Sequence, residues 1–357
     1  MSITNGHLGY KLELDKKPAG LTSYAGIPLF IETAMSLGLP ALVNAVLGHR
    51  WGHRKGYTAA ELALVIIAGI AAGAKNVDDV AAMKQDLGLR ALLELKKWPS
   101  AGSLKRFLYW FHDLLSWQGG TLGKAIVPQE SDPLLGLFRI HRALLQAILE
   151  RCPIRSLTID IDASIIESHK DEALPHYDGG RGYQPWIAYC PELRLILRDQ
   201  FRDGNVPAAM GVKNQVRRAV LALPSGDFSI KLRGDTALYC PDALRWMDER
   251  NITFGISAKM STELRATADK AEPKSWERLV KLTEFGPVPT DLEIAEVEFV
   301  SNGMASNKKS RPFRFIVARR VEGQGNLFGK PKEVYDEQGH RWYLAVVSNN
   351  WADCPRD

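Results

Sequence analysis

Cysteine is scarce in this chain: 357 residues hold 4, namely Cys152, Cys190, Cys240 and Cys354, and no two form a Cys-x-x-Cys pair. That pattern argues against a cysteine zinc site and leaves thiols of a reducing compartment. Long apolar runs are also missing. The longest, Ala63 to Ala74, is too short to span a bilayer. The opening residues Met1-Ser2-Ile3-Thr4-Asn5-Gly6 have neither the basic nor the apolar region of a signal peptide. There is no internal repeat and no low-complexity segment. Neither sign of charge dominates: 46 Lys and Arg against 41 Asp and Glu leave +5, which permits a nucleic-acid partner without requiring one. What remains is a cytoplasmic globular chain with no membrane association. At 45% hydrophobic and 24% charged residues its composition is ordinary, and its length allows two or three domains.

The pattern of apolar residues divides the chain into three parts. Residues 1–150 read as helical. Thr58-Ala59-Ala60-Glu61 is a capping box opening a helix to about Ala74. Asp78 is placed to cap the next helix, which runs to about Gln85. Ser103 to Leu115 sets Leu104, Phe107, Leu108 and Phe111 on one stripe, and Pro133 to Leu149 repeats the pattern. Pro99-Ser100-Ala101-Gly102 reads as a loop. Residues 151–260 switch to strands at 156–164, 184–190 and 193–200, a helix at 206–222, a strand at 227–234, a helix at 241–250 and a strand at 252–258. That order predicts an α/β fold with a mixed sheet flanked by helices. Residues 261–357 begin with a helix over 261–282, broken at Pro273. Strands follow at Glu293–Val300, Phe313–Arg320 and Arg341–Ser348, which read as a small antiparallel sheet placed after the mixed one.

The chemistry centres on Leu157-Thr158-Ile159-Asp160-Ile161-Asp162-Ala163-Ser164. Its period of two puts Leu157, Ile159 and Ile161 on one face and Thr158, Asp160 and Asp162 on the other. Carboxylates on such a strand are costly to bury unless paired or bound to metal. A divalent cation held by carboxylates is standard apparatus for phosphodiester chemistry. A second candidate, Asp235, ends Leu232-Arg233-Gly234-Asp235, where Gly234 relaxes the backbone as the strand ends.

Several blocks carry a family resemblance: Asp160-Ile161-Asp162-Ala163-Ser164, Ile166-Glu167-Ser168-His169-Lys170, Gly180-Arg181-Gly182-Tyr183-Gln184-Pro185, Phe201-Arg202-Asp203-Gly204-Asn205-Val206-Pro207 and Leu232-Arg233-Gly234-Asp235. Together they resemble the group 1 DDE transposases of bacterial insertion sequences, over most of the chain from about residue 10. The resemblance implies a helical N-terminal DNA-binding region (1–150), an RNase H-like catalytic core (151–260) and a β-rich insertion (261–357). It implies Asp162 and Asp235 as catalytic metal ligands, with Asp160 as a further ligand, and Mg²⁺ or Mn²⁺ as the ion. It implies a homodimer on DNA, contacting the element's terminal repeats and target DNA at the nucleoid. The family's third acid is a glutamate on a helix after the insertion, within a tyrosine–arginine–glutamate signature. No such signature occurs here, and Glu277 and Glu284 precede the inserted strands. The expectation is therefore an incomplete copy, ending before the last catalytic helix, that binds DNA without completing transposition.

The other polar segments have two readings each. Arg202 and Asn205 belong either to a turn before a helix or to a loop near the active site that touches DNA phosphates or positions metal ligands. His169 and His176 read as polar surface rather than a metal pair. His49-Arg50-Trp51-Gly52-His53-Arg54-Lys55-Gly56-Tyr57 interleaves basic and aromatic residues. It is either a solvated face or a DNA-backbone contact through Arg50, Arg54 and Lys55. Lys96-Lys97-Trp98 and Lys308-Lys309-Ser310-Arg311 stand likewise. The rival functions are a catalytically inactive DNA-binding repressor of element ends and a metal-dependent nuclease without strand transfer.

Overall fold

The computed structural model describes residues 22–51, 56–93, 97–112, 124–127, 129–300, 313–322, 332–335, 339 and 341–352. The chain divides into two units: residues 1–124, 128–153 and 222–225 form one, and residues 125–127, 154–221 and 226–357 the other.

The described part of the first unit is helical: α1 (Ile27–Ser36), α2 (Leu39–Val43), a π-helical turn (Asn44–Gly48), α3 (His49–Trp51), α4 (Ala59–Ala71), α5 (Val77–Ala82), α6 (Leu87–Leu92), α7 (Ala101–Trp110) and α8 (Asp132–Arg151). Local polar chemistry sets several starts. Thr58 and Glu61 form the expected capping box on α4, and Ser131 caps α8. Two boundaries differ from the sequence reading. Asn76, not Asp78, caps α5, in a reciprocal box with Asp79, because the cap must stand three residues before the amide its side chain accepts. Ser100 caps α7, so Ala101 and Gly102 are its first turn rather than loop. Leu62, Val65, Leu104 and Phe107 are buried in one core, and the buried Trp98 donates its indole N–H to Val80 O at 2.9 Å. Among the described residues no single helix is long and apolar enough to cross a membrane.

The second unit is built on one sheet of ten strands. Its strands, with those of a small side sheet, are β1 (Ser156–Ala163), β2 (Ile166–Glu167), β3 (Leu174–Pro175), β4 (Arg181–Tyr183), β5 (Trp186–Cys190), β6 (Leu195–Gln200), β7 (Ser229–Gly234), β8 (Thr253–Ala258), β9 (Glu277–Thr283), β10 (Gly286–Glu298), β11 (Arg314–Glu322), β12 (Lys332–Glu333) and β13 (Tyr343–Ser348). The large sheet runs β6-β5-β1-β7-β8-β13-β11-β10-β9, with β12 on β11. β5 runs antiparallel to both of its neighbours, β6 and β1, while β1, β7 and β8 are parallel. Helices α9 (Val212–Ala222), α10 (Pro241–Asp248) and α11 (Thr262–Asp269) complete it. This is the mixed, helix-flanked sheet that the order of strands and helices predicts. β1 shows why it forms: Leu157, Ile159 and Ile161 are buried, contributing roughly 2 kcal/mol each, and the alternate residues are left on the open face.

The later strands form no separate sheet. β13 pairs antiparallel with β8, Val347 opposite Ile256, so the third region prolongs the core sheet. Residues 277–282, read as the end of a helix from the sequence, belong to strand β9. Leu279 and Leu282, three residues apart, share a face only in a helix, but pairing with β10 around Gly286 at φ +108° makes the segment strand. Arg319 supports that arrangement, lying over the Trp276 ring at 4.2 Å and reaching Glu293 at 2.8 Å. The helix expected from 206 begins at Val212, after Gly211 at φ +74°.

Candidate active site

β1 and β7 run parallel in a register that pairs Asp160 with Arg233 and Ile161 with Gly234. One residue further stand Asp162 on β1 and Asp235, which keeps an extended backbone (φ −80°, ψ −172°) just beyond β7. Neighbouring strands lie about 5 Å apart, so the two aspartates are level neighbours. Arg233 and Asp160 touch on the open face, and alternation carries Asp235 and Asp162 to that same face. Gly234 has a packing role here. A Cβ there would meet Leu238 Cδ2 at 2.7 Å and Ile161 O at 3.2 Å, so glycine lets the turn after Asp235 fold back onto the strand.

Both aspartates are exposed. Asp162 Oδ1 accepts from the Ala163 N–H at 2.8 Å, and Asp235 Oδ1 accepts from the Ala237 N–H at 2.9 Å as it caps a short 3₁₀ turn. Each carboxylate is thus oriented by a nearby amide and retains its Oδ2. Neither has an ion-pair partner among the described residues. Asp160 differs. Arg233 donates Nε–H to Oδ1 at 2.7 Å and Nη2–H to Oδ2 at 2.8 Å. The hydrogen bonding to Asp160, with its charge and that of Glu192, raises the Arg233 guanidinium further above its ordinary pKa.

Glu192 closes the far end of the face. It accepts from Thr158 N–H at 2.9 Å and Thr158 Oγ1 at 2.6 Å. Burial pushes its carboxyl up, but the hydrogen bonds outweigh that and hold it below the usual carboxylate range. Burial, together with Glu192, pushes the Cys190 thiol up to about 11.

The two loop blocks interlock beside these strands. Gly204 N–H donates to Gly182 O at 3.0 Å, and Gln184 N–H to Arg202 O at 2.9 Å. A Cβ on Gly204 would stand 2.7 Å from Leu174 O, and one on Gly182 2.2 Å from Ile166 O. Both glycines are therefore required by close backbone approach. The Tyr183 and Phe201 rings meet at 4.8 Å. Trp186 pairs with Ala163 on one side and Gln200 on the other, so this interlock adjoins the end of the sheet that carries Asp162.

The profile described as transposase DDE domain group 1 matches residues 7–328. This chain belongs to that family. No curated protein matches it. Among solved structures, a piggyBac transposase synaptic complex with hairpin DNA is similar at 8% identity and a TM-score of 0.30, covering 90% of this chain and 52% of that one. The DDE-domain chain thus spans about half the length of the solved chain it matches.

The remaining expected site residues of this group 1 DDE chain fare differently from one another. Arg202, expected at DNA, is 1% exposed. Its guanidinium donates to Gln200 Oε1 at 2.9 and 3.0 Å, to Met210 O at 3.2 Å and to Pro207 O at 3.5 Å. It braces the loop before α9 from inside, and burial, with Arg218 nearby, lowers its pKa to about 10. Asn205 is half-buried in the same loop, and burial raises the Asp203 carboxyl. His176, read as surface, is buried, with Nδ1 accepting from the Asp178 N–H at 3.3 Å, whereas His169 is exposed. Arg50 lies on α3, whose neighbour Trp51 packs on Phe107 with ring centroids 5.0 Å apart. Arg54 and Lys55 lie outside the described residues.

The donor set suits a hard dication, because the oxygens left over on Asp162 and Asp235 are carboxylate oxygens on one face, and Mg²⁺ takes few protein carboxylates and keeps several waters. Among the described residues, no group of three or more His, Cys, Asp or Glu is assembled for a metal. The sequence reading missed Arg233. Its signal was present: Arg233 precedes Asp235 by the interval at which Asp160 precedes Asp162, so parallel pairing of the two strands sets them opposite each other.

Proposed function

We propose that this chain is a DNA transposase that uses Asp162 and Asp235 to hold divalent metal at the end of β1 and β7. What supports this reading is the register that sets the two acids level on adjacent strands. Ala163 and Ala237 N–H groups hold Oδ1 of each acid and present Oδ2 to the ion. Mg²⁺ or Mn²⁺, when bound, supplies activation of water or a 3′-hydroxyl and stabilisation of the departing oxygen. Asp160 is engaged on both oxygens by Arg233, which leaves it a supporting role rather than that of a metal ligand. The first unit carries most of the sequence-specific DNA contact, and the chain works as a homodimer on its element's ends.

The test incubates the purified chain with labelled DNA from either side of its own gene, with Mg²⁺ or Mn²⁺. Cleavage and strand transfer that disappear in Asp162→Asn and Asp235→Asn support the reading. Binding without cleavage replaces it with an inactive DNA-binding protein that occupies element ends. Cleavage without joining leaves a nuclease.

A further inference from the structure

The Asp160–Arg233 pair has an unused side. The fork consumes Nε–H and one Nη2–H at 2.7 and 2.8 Å, yet the Arg233 side chain is 61% exposed, against 35% for Asp160. Nη1 and the second N–H of Nη2 have no partner among the described residues. This cation sits on the open face, two residues before Asp235 and across from the residue two before Asp162. A surface ion pair contributes little stability as such. A guanidinium whose rotamer is set on one edge presents its other edge preorganised, and planar N–H donors suit phosphate oxygens. The same face carries Asp162, Asp235 and Glu192, which repel a phosphodiester, so a fixed cation among them has an electrostatic task that a neutral side chain would not perform.

We infer that Arg233 is a phosphate contact for DNA at the Asp162–Asp235 face, and that Asp160 is the positioning residue that orients it. The inference rests on the transposase reading above. It concerns how the strand is held, whereas that reading concerns which acids hold metal.

The experiment measures binding of the full chain to a fluorescein-labelled DNA duplex by anisotropy, in Ca²⁺ buffer across a salt series. Mn²⁺ binding is followed in parallel by electron paramagnetic resonance. Arg233→Ala is expected to weaken DNA binding several-fold at low salt. It should also make the slope of log affinity against log salt shallower by about one, the loss of a single phosphate contact. Arg233→Lys keeps the slope, because the charge remains, and recovers part of the affinity. Mn²⁺ binding in Arg233→Ala stays as tight as wild type or tightens, because a cation has left the site, whereas Asp162→Asn weakens it more than tenfold. A merely structural role for the pair predicts the opposite, with DNA and Mn²⁺ binding falling together along with the melting temperature. Wild-type slope and affinity in a folded Arg233→Ala overturn the inference alone. Failure of the wild type to bind DNA overturns the parent reading as well.

Discussion

Replacing Gly182 by alanine probes the loop interlock beside the acid pair. The added Cβ would stand 2.2 Å from Ile166 O, 3.0 Å from Ile166 C and 3.1 Å from Glu167 Cα. All three atoms are backbone, so no rotamer change relieves the contact. An acceptable carbon–oxygen separation is about 3.3 Å, so β2 must move away by about 1 Å. That movement strains the β2–β4 pairing and loosens the bond from Gly204 N–H to Gly182 O. Overpacking costs about 1–3 kcal/mol and each loosened backbone bond about 1 kcal/mol. A total of about 3 kcal/mol corresponds to a melting point lower by roughly 6–12 °C for a unit of this size. Calorimetry of the whole chain measures this, with hydrogen exchange resolved over Ile166–Tyr183. Gly255→Ala is the matched control: it lies in β8 with nothing within 4 Å of its added Cβ, and is expected to be neutral or stabilising by up to about 1 kcal/mol. If Gly182→Ala melts with the wild type and protects Ile166–Tyr183 equally, the close approach is not what the glycine is for.

Other expectations follow from the same geometry. Arg202→Lys should destabilise by about 1–3 kcal/mol, since one ammonium cannot serve Gln200, Pro207 and Met210 together. DNA affinity should be unchanged below the melting point, and a selective loss of affinity would put Arg202 back at the DNA. Brief alkylation of the native chain near pH 8 should label exposed Cys152 and spare Cys190, whose raised pKa keeps it a thiol; peptide mass spectrometry reads the ratio, and equal labelling contradicts the burial. Thr58→Ala should cost about 0.5–2 kcal/mol through loss of the α4 cap, lowering the melting point with no change in Mn²⁺ binding.

Local pattern determined a large part of this protein. The alternation over Leu157–Ala163 determines β1 and which of its faces carries acid, and Thr58 with Glu61 determines the start of α4. The order of the first core strands and helices follows from the same signals, because period and caps act within a few residues. The strand pattern and the family blocks marked Asp162 and Asp235 and suggested one shared face, and the fold supplied the parallel register of β1 and β7. Tertiary structure decided the rest. Arg233 lies 73 residues from the Asp160 it binds, a pairing that exists only once β1 and β7 adopt their parallel register. Arg202 looked like a surface cation in a polar loop, and burial became visible only when Gln200, Pro207 and Met210 closed around it. Residues 277–282 read as helix from their own pattern and became strand because β10 offered a pairing edge, and β13 joined β8 across a long intervening segment. Gly204 read as a turn residue and Gly182 as part of a family block, but both stand where backbones from other segments approach too closely for a side chain. For Arg233 with Asp160, β13 with β8, and Gly182 and Gly204 with the backbones they meet, the deciding contact joins segments that no local window contains; the partners of Arg202 and of β9 are near in sequence, but they meet only once the loop and the hairpin have closed.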